Sequence, residues 1–151
     1  MKPEDFIAAI APAARASAAK TKIPASFTIA EAALESGWGA SQLAQQGKNL
    51  FGVKASRGWT GETLTMRTRE FIHGQWMVVP ALWRKYSDWL GCIEDHAAFL
   101  INNPRYKACF ECIDGEEFAR AVAAAGYATD PDYANKIIGV IRSHNLTALD
   151  S

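Results

Sequence analysis

Between residues 3 and 20 the apolar side chains Phe6, Ile7, Ile10, Ala13 and Ala14 recur at three- and four-residue intervals in an Ala-rich stretch, which predicts a helix. Pro12 lacks an amide hydrogen and is expected to kink or split it. A second helical pattern runs from Pro24 to Glu35, with Phe27, Ile29, Ala30, Ala33 and Leu34 apolar and Gly37 and Gly39 as stop signals. A short helix over Ala40 to Gln46 and a loop around Gly47-Lys48-Asn49 follow. From Gly58 to Leu82 the pattern changes. Thr60, Thr63, Thr65, Thr68 and the run Trp76-Met77-Val78-Val79 favour strand, and His73-Gly74 marks the turn of a β-hairpin. Helical spacing returns from Ser87 to Leu100, with Ser87 or Asp88 as cap and Asn102-Asn103-Pro104 as terminator. Two more helices, Glu116 to Ala125 and Pro131 to His144, flank Gly126-Tyr127-Ala128-Thr129-Asp130. The expected fold is mainly α, an α+β single domain over 1–151 with a β-lobe at about 58–82 and no internal repeat.

A chain of 151 residues, 49% hydrophobic and 21% charged, has enough apolar surface for one core and excludes the disordered and fibrous classes. Sixteen Lys and Arg balance sixteen Asp and Glu, so no global field recruits nucleic acid or an anionic membrane. The balance conceals an asymmetry. Residues 1–86 carry 11 basic against 6 acidic residues, and 87–151 carry 5 against 10. A mildly basic first part suits an anionic polymer, or it is simply solvated charge. Glu4 and Asp5 stand where a secretory leader needs positive charge, Pro12 interrupts the first apolar run, and no stretch is long enough to span a bilayer. Neither a signal peptide nor membrane insertion is expected.

Cys92, Cys109 and Cys112 cannot all pair internally, and a chain this long needs no disulfide. Cys109 and Cys112 have the spacing of half a zinc site that Cys92 and His96 would complete, giving a zinc-stabilised interaction domain as one alternative. The other is that these are ordinary small hydrophobes.

Glu35 falls on the last turn of its helix, where the negative end of the macrodipole disfavours a carboxylate, and Ala33, Leu34 and Trp38 are placed to desolvate it. A carboxylic acid still protonated near neutral pH is what glycosidic bond cleavage requires. Glu31, one turn earlier, repels it, so each makes the other harder to ionise unless one finds a cationic partner. Alternatively, both are exposed helix-surface acids.

From Ala32-Ala33-Leu34-Glu35-Ser36-Gly37-Trp38-Gly39 through Asn49-Leu50-Phe51-Gly52-Val53-Lys54, the sequence resembles glycoside hydrolase family 73, the glucosaminidase domain of flagellar peptidoglycan hydrolases, autolysins and some phage endolysins. The likeness continues through Tyr86-Ser87, Asp95-His96, Asn103-Pro104-Arg105-Tyr106 and Tyr127 to Ala134, covering roughly residues 5–145 in order. It implies a lysozyme-like helical fold whose β-lobe overhangs a sugar groove, and cleavage of the β-1,4 bond after N-acetylglucosamine by an endo-β-N-acetylglucosaminidase. It makes Glu35 the catalytic acid. Glu70 becomes the hairpin carboxylate, with Glu62 a less well placed competitor, acting on water or beside the substrate's own acetamido group. Tyr127 matches a groove tyrosine that orients water or the N-acetyl group. Trp38, Asn49, Phe51, Lys54, Trp59 and Tyr133 are the substrate-binding candidates, although Phe51 fits core equally. Trp76 also lies near the groove in sequence, whereas Trp83 and Trp89 fit core. Asp95 reads as a structural acid near the site. Glu31 replaces a glutamine common among relatives and is expected to raise the pKa of Glu35.

No metal or organic cofactor is needed by such chemistry, and the partner is the peptidoglycan glycan strand, bound by a monomer. A non-catalytic peptidoglycan-binding scaffold of the same fold is the rival reading. With no leader expected, the context implied is a phage endolysin or an effector delivered by a secretion machine, acting on the cell wall after synthesis in the cytoplasm.

Overall fold

The computed structural model describes all 151 residues, Met1 to Ser151. Helix α1 (Pro3–Thr21) runs through Pro12 as one element and is not split. Pro12 and Ala8 both lie on its exposed side, so the carbonyl that loses its amide partner opens to solvent rather than into the core. Phe6, Ile10, Ala14 and Ser17 make its buried face.

Helix α2 (Ala25–Ser36) is the central element, with ten of its twelve residues buried, as expected of a helix enclosed on nearly every side. Helices α1, α5 (Gly115–Ala124) and α6 (Tyr133–Ser143) and the terminal 3₁₀ turn (Leu146–Asp150) surround it. Helix α2 has no N-cap side chain of its own. Asp150 supplies one from the far end of the chain, accepting from the Ser26 amide at 2.8 Å and the Ser26 hydroxyl at 2.6 Å. Gly115 lets α5 approach there, since a Cβ would meet Ser26 Oγ at 2.1 Å. Asp150→Ala removes a carboxylate from a helix N-terminus and is expected to cost about 1–2 kcal/mol in urea denaturation.

Gly37, Trp38 and Gly39 all have positive φ and turn the chain sharply after α2. Gly39 is required twice over, because an added Cβ would also press on the Phe6 ring at 3.0 Å. Helix α3 (Gln42–Gly47) is capped by Ser41, which accepts from Ala44 N at 3.1 Å.

Strands β1 (Thr63–Ile72) and β2 (Gln75–Arg84) form one antiparallel ribbon, so the hairpin begins five residues later than the sequence pattern suggests. His73 and Gly74 both have positive φ, as a two-residue hairpin turn of the primed type requires. The ribbon is tied to the body at its base. Arg84 N donates to Val53 O, and Ala55 N to Leu82 O. Helix α4 (Trp89–Asn102) is capped by Asp88 rather than Ser87, and a 3₁₀ segment (Pro104–Glu111) follows. No helix is long and apolar enough to cross a membrane.

Candidate active site

The last two turns of α2 hold two glutamates in opposite environments. Glu31 is fully buried. A carboxylate can only accept, so His96 donates through Nε2 to Glu31 Oε1 at 2.7 Å, and Tyr133 donates its hydroxyl to Oε2 at 2.5 Å. Tyr127 completes the cluster, with its hydroxyl 3.1 Å from His96 Nε2. Burial works to raise the Glu31 pKa, but His96 and the two tyrosine hydroxyls outweigh it and hold the carboxyl below its ordinary value. The same burial, together with the Glu31 charge, pushes both phenols far up, so they stay protonated as donors. Mutual repulsion therefore acts on one member of the pair only. Glu31 found a partner.

Glu35, one turn on, opens to solvent and lines a hollow of about 300 Å³ with Leu34, Ala128, Thr129, Asp130, Tyr133 and Lys136. Its pKa is raised, first by burial against this wall and next by the Glu31 charge beneath it, with His96 pulling weakly the other way. Lys136, which also lines the hollow, has its ammonium paired with Asp130. Thus α2 presents a fixed anion inside and a reluctant acid outside, from two positions on one helical face. Replacing Glu31 with Gln removes the second cause. Any activity that needs Glu35 protonated is then expected to lose its alkaline limb at lower pH than wild type, read from a pH–rate profile.

The other sequence candidates divide. Glu70 lies on β1, alternating toward the body, and its Oε1 pairs with Lys54 Nζ, joining the ribbon to the chain beneath it. Glu62 stays exposed at the hairpin base, where its carbonyl accepts from Trp59 Nε1 at 2.9 Å and its side chain meets no cation. Phe51 is buried and stacks on His96 with ring centroids 4.0 Å apart. Together they wall a second hollow of about 270 Å³ with Val53, Phe99, Tyr106 and Tyr127. Asp95 accepts from Arg84 at 2.8 Å and from the Tyr86 hydroxyl at 2.6 Å, bracing the ribbon base against α4.

Several placements differ from expectation. Trp38 packs away from Glu35, against Phe6 and His144, because three positive-φ residues swing it across the end of α2. Asn49 is buried, and its amide is spent on the backbone of Val53 and Arg84 at 2.9–3.0 Å. Tyr133 borders the Glu35 hollow, but its hydroxyl serves Glu31. Trp59 has its ring covered by the Arg84 guanidinium at 4.7 Å. The body-facing indole of the ribbon is instead Trp83, whose Nε1 donates to Met66 O and whose ring lies 5.7 Å from Lys54 Nζ.

His96 is the residue that sequence reasoning missed, having weighed it only as an alternative zinc ligand, whereas it holds the buried Glu31 carboxylate. No group of three or more His, Cys, Asp or Glu is positioned to hold a metal ion. The buried Cys92 thiol accepts from Leu50 N, and burial pushes it up to about 12, leaving it a packed hydrophobe. The available signal was Glu31 itself. A glutamate in the middle of an apolar helix needs a buried donor.

The glucosaminidase family profile, described as mannosyl-glycoprotein endo-beta-N-acetylglucosaminidase, matches residues 11–146. The peptidoglycan hydrolase FlgJ of Salmonella typhimurium is 38% identical over 143 residues, 92% of this chain and 45% of that protein. The exo-glucosaminidase LytG of Bacillus subtilis is 41% identical over 130 residues, 83% of this chain and 45% of that protein. The chain thus spans less than half the length of these curated relatives. Among solved structures, the truncated glycoside hydrolase domain of the Salmonella FlgJ superposes with a TM-score of 0.83 at 36% identity, covering 95% of this chain and 98% of that one. The catalytic domain of the Listeria monocytogenes autolysin Auto gives 0.87 at 33%, covering 98% and 87%.

Proposed function

Because this chain belongs to the glucosaminidase family of glycoside hydrolases, we propose that it cleaves the glycan strands of peptidoglycan after N-acetylglucosamine, with Glu35 as general acid. The observation that carries this is the pair on α2, an open carboxyl with a raised pKa above a buried, hydrogen-bonded carboxylate. Glycosidic cleavage requires a proton on the leaving oxygen and stabilisation of an oxocarbenium-like centre. Glu35 supplies the proton from the wall of its hollow. Glu31 stays charged within the protein and does not touch the sugar.

Glu70, on the body-facing side of the ribbon, serves as the second carboxyl in this reading. In the free protein Lys54 holds it, so substrate entry must open or slide that ion pair before Glu70 can take a proton from water. Otherwise the substrate's acetamido oxygen attacks first, and Glu70 steadies it. Tyr127 and the Phe51–His96 stack form the floor beside the reacting centre. The test is mass spectrometry of digested peptidoglycan with NMR of the newly formed anomer. N-acetylglucosamine at the new reducing ends supports the reading, and N-acetylmuramic acid there contradicts it. An inverted anomer assigns water activation to Glu70, and a retained one removes that step and leaves first attack by the acetamido group or by a carboxylate.

A further inference from the structure

The outer face of the β1–β2 ribbon carries a surface for which glycan cleavage has no use. Cross-strand partners share a face, so Arg67, Arg69 and Phe71 of β1 stand beside Val78 and Trp76 of β2, with Leu82 toward the base. This face points away from the body, because Glu70, which alternates with these β1 residues, reaches down to Lys54. Phe71, Trp76, Val78 and Leu82 are 62, 64, 60 and 53% exposed. The Arg69 guanidinium lies 5.2 Å from the centre of the Trp76 ring, and neither Arg67 nor Arg69 is paired with a carboxylate. No acidic residue belongs to this face.

We propose that the outer ribbon face docks on an anionic lipid bilayer surface, with the apolar side chains entering the headgroup boundary and the two arginines meeting lipid phosphates. Charge complementarity selects this occupant. A symmetric second copy would set Arg67 and Arg69 of one face against the same arginines of the other. A glycan could stack on Trp76, but it would also need acceptor side chains for its hydroxyls, and this face has no amide or carboxylate, whereas Phe71, Val78 and Leu82 offer hydrocarbon. Aromatic, aliphatic and cationic side chains on one projecting face are the chemistry of an interfacial lipid contact.

Sedimentation of the full chain with vesicles tests this at low salt. Wild type is expected to sediment with vesicles made half of phosphatidylglycerol and half of phosphatidylcholine, and not with pure phosphatidylcholine. An arginine near an anionic surface is worth about 1 kcal/mol, so Arg67→Ser with Arg69→Ser should weaken binding by roughly 30-fold. Trp76→Ser should weaken it on its own. All three positions are exposed, and circular dichroism checks that the variants fold. Docking does not depend on turnover, so Glu35→Gln should bind vesicles as wild type does. Failure of wild type to sediment with anionic vesicles, or undiminished binding by the arginine double variant, overturns the proposal. So does a wild-type dimer in analytical ultracentrifugation that Trp76→Ser dissolves, which assigns the face to a second copy. Capture by purified peptidoglycan that depends on Trp76, without vesicle binding, assigns it to the glycan instead.

Discussion

Glu35→Gln lowers the rate of clearing of purified cell wall by roughly 10²–10⁴-fold, the usual worth of a positioned general acid, while the protein keeps its fold. Glutamine preserves the shape and polarity of the side chain but cannot surrender a proton at any accessible pH. The variant isolates chemistry from binding, since a glycan strand should still occupy the hollow lined by Leu34, Thr129 and Tyr133. Stability moves the other way, if it moves. The Glu35 pKa is raised in the fold, so above that value the folded state holds a carboxylate that the unfolded chain carries more easily. Removing the acid relieves that penalty at neutral and alkaline pH. Cell-wall clearing at the wild-type rate by Glu35→Gln would overturn the assignment of Glu35 as the general acid.

His96→Ala is expected to be the most damaging single substitution for stability, at about 3–5 kcal/mol in urea denaturation, because it strands the Glu31 carboxylate in a dry interior. Loss of packing on Phe51 adds to the effect. A conservative companion, Glu31→Gln with His96→Gln, replaces the carboxylate–imidazole contact by neutral hydrogen bonds and should recover much of the loss, which separates stranded charge from lost volume. The pair also fixes the acid response of wild type. The Glu31 pKa is held below its ordinary 4.5. Its stabilisation is therefore complete above that value and disappears as pH falls through the lower folded-state value. In His96→Ala that acid-labile component should shrink, seen as a flatter dependence of stability on pH below 5 in denaturation curves.

Local chemistry made most of the fold legible. Apolar spacing located every α-helix to within a few residues, and His73-Gly74 marked the hairpin turn, because such a turn needs positive φ at both positions. Pro12 misled in proportion to its exposure. A proline is disruptive where the freed carbonyl is trapped, and that of Ala8 faces water. The two 3₁₀ segments, Pro104–Glu111 and Leu146–Asp150, escaped because their hydrophobic spacing fits neither period. Asp150 acting as the missing cap of α2 across 124 residues is a tertiary fact with no local trace.

The site follows the same division. Glu35 could be singled out because helix termini and repelling neighbours are encoded within five residues. Asn49 and Trp38 are equally near in sequence to the groove, yet backbone geometry directs one into amide bonds and turns the other away. His96 sits 65 residues from Glu31, beyond any local rule, although a buried glutamate implies that such a partner exists.

Burial, with the Glu31 charge beneath it, keeps Glu35 protonated until a sugar linkage takes its proton, and carbon-13 NMR titration of the Glu35 carboxyl in wild type and in Glu31→Gln tests this most directly. A Glu35 pKa above 4.5 is expected in wild type, with a lower value in the variant and alkaline limbs of the two rate profiles that move with them. A Glu35 that titrates at its ordinary value in both proteins would contradict this.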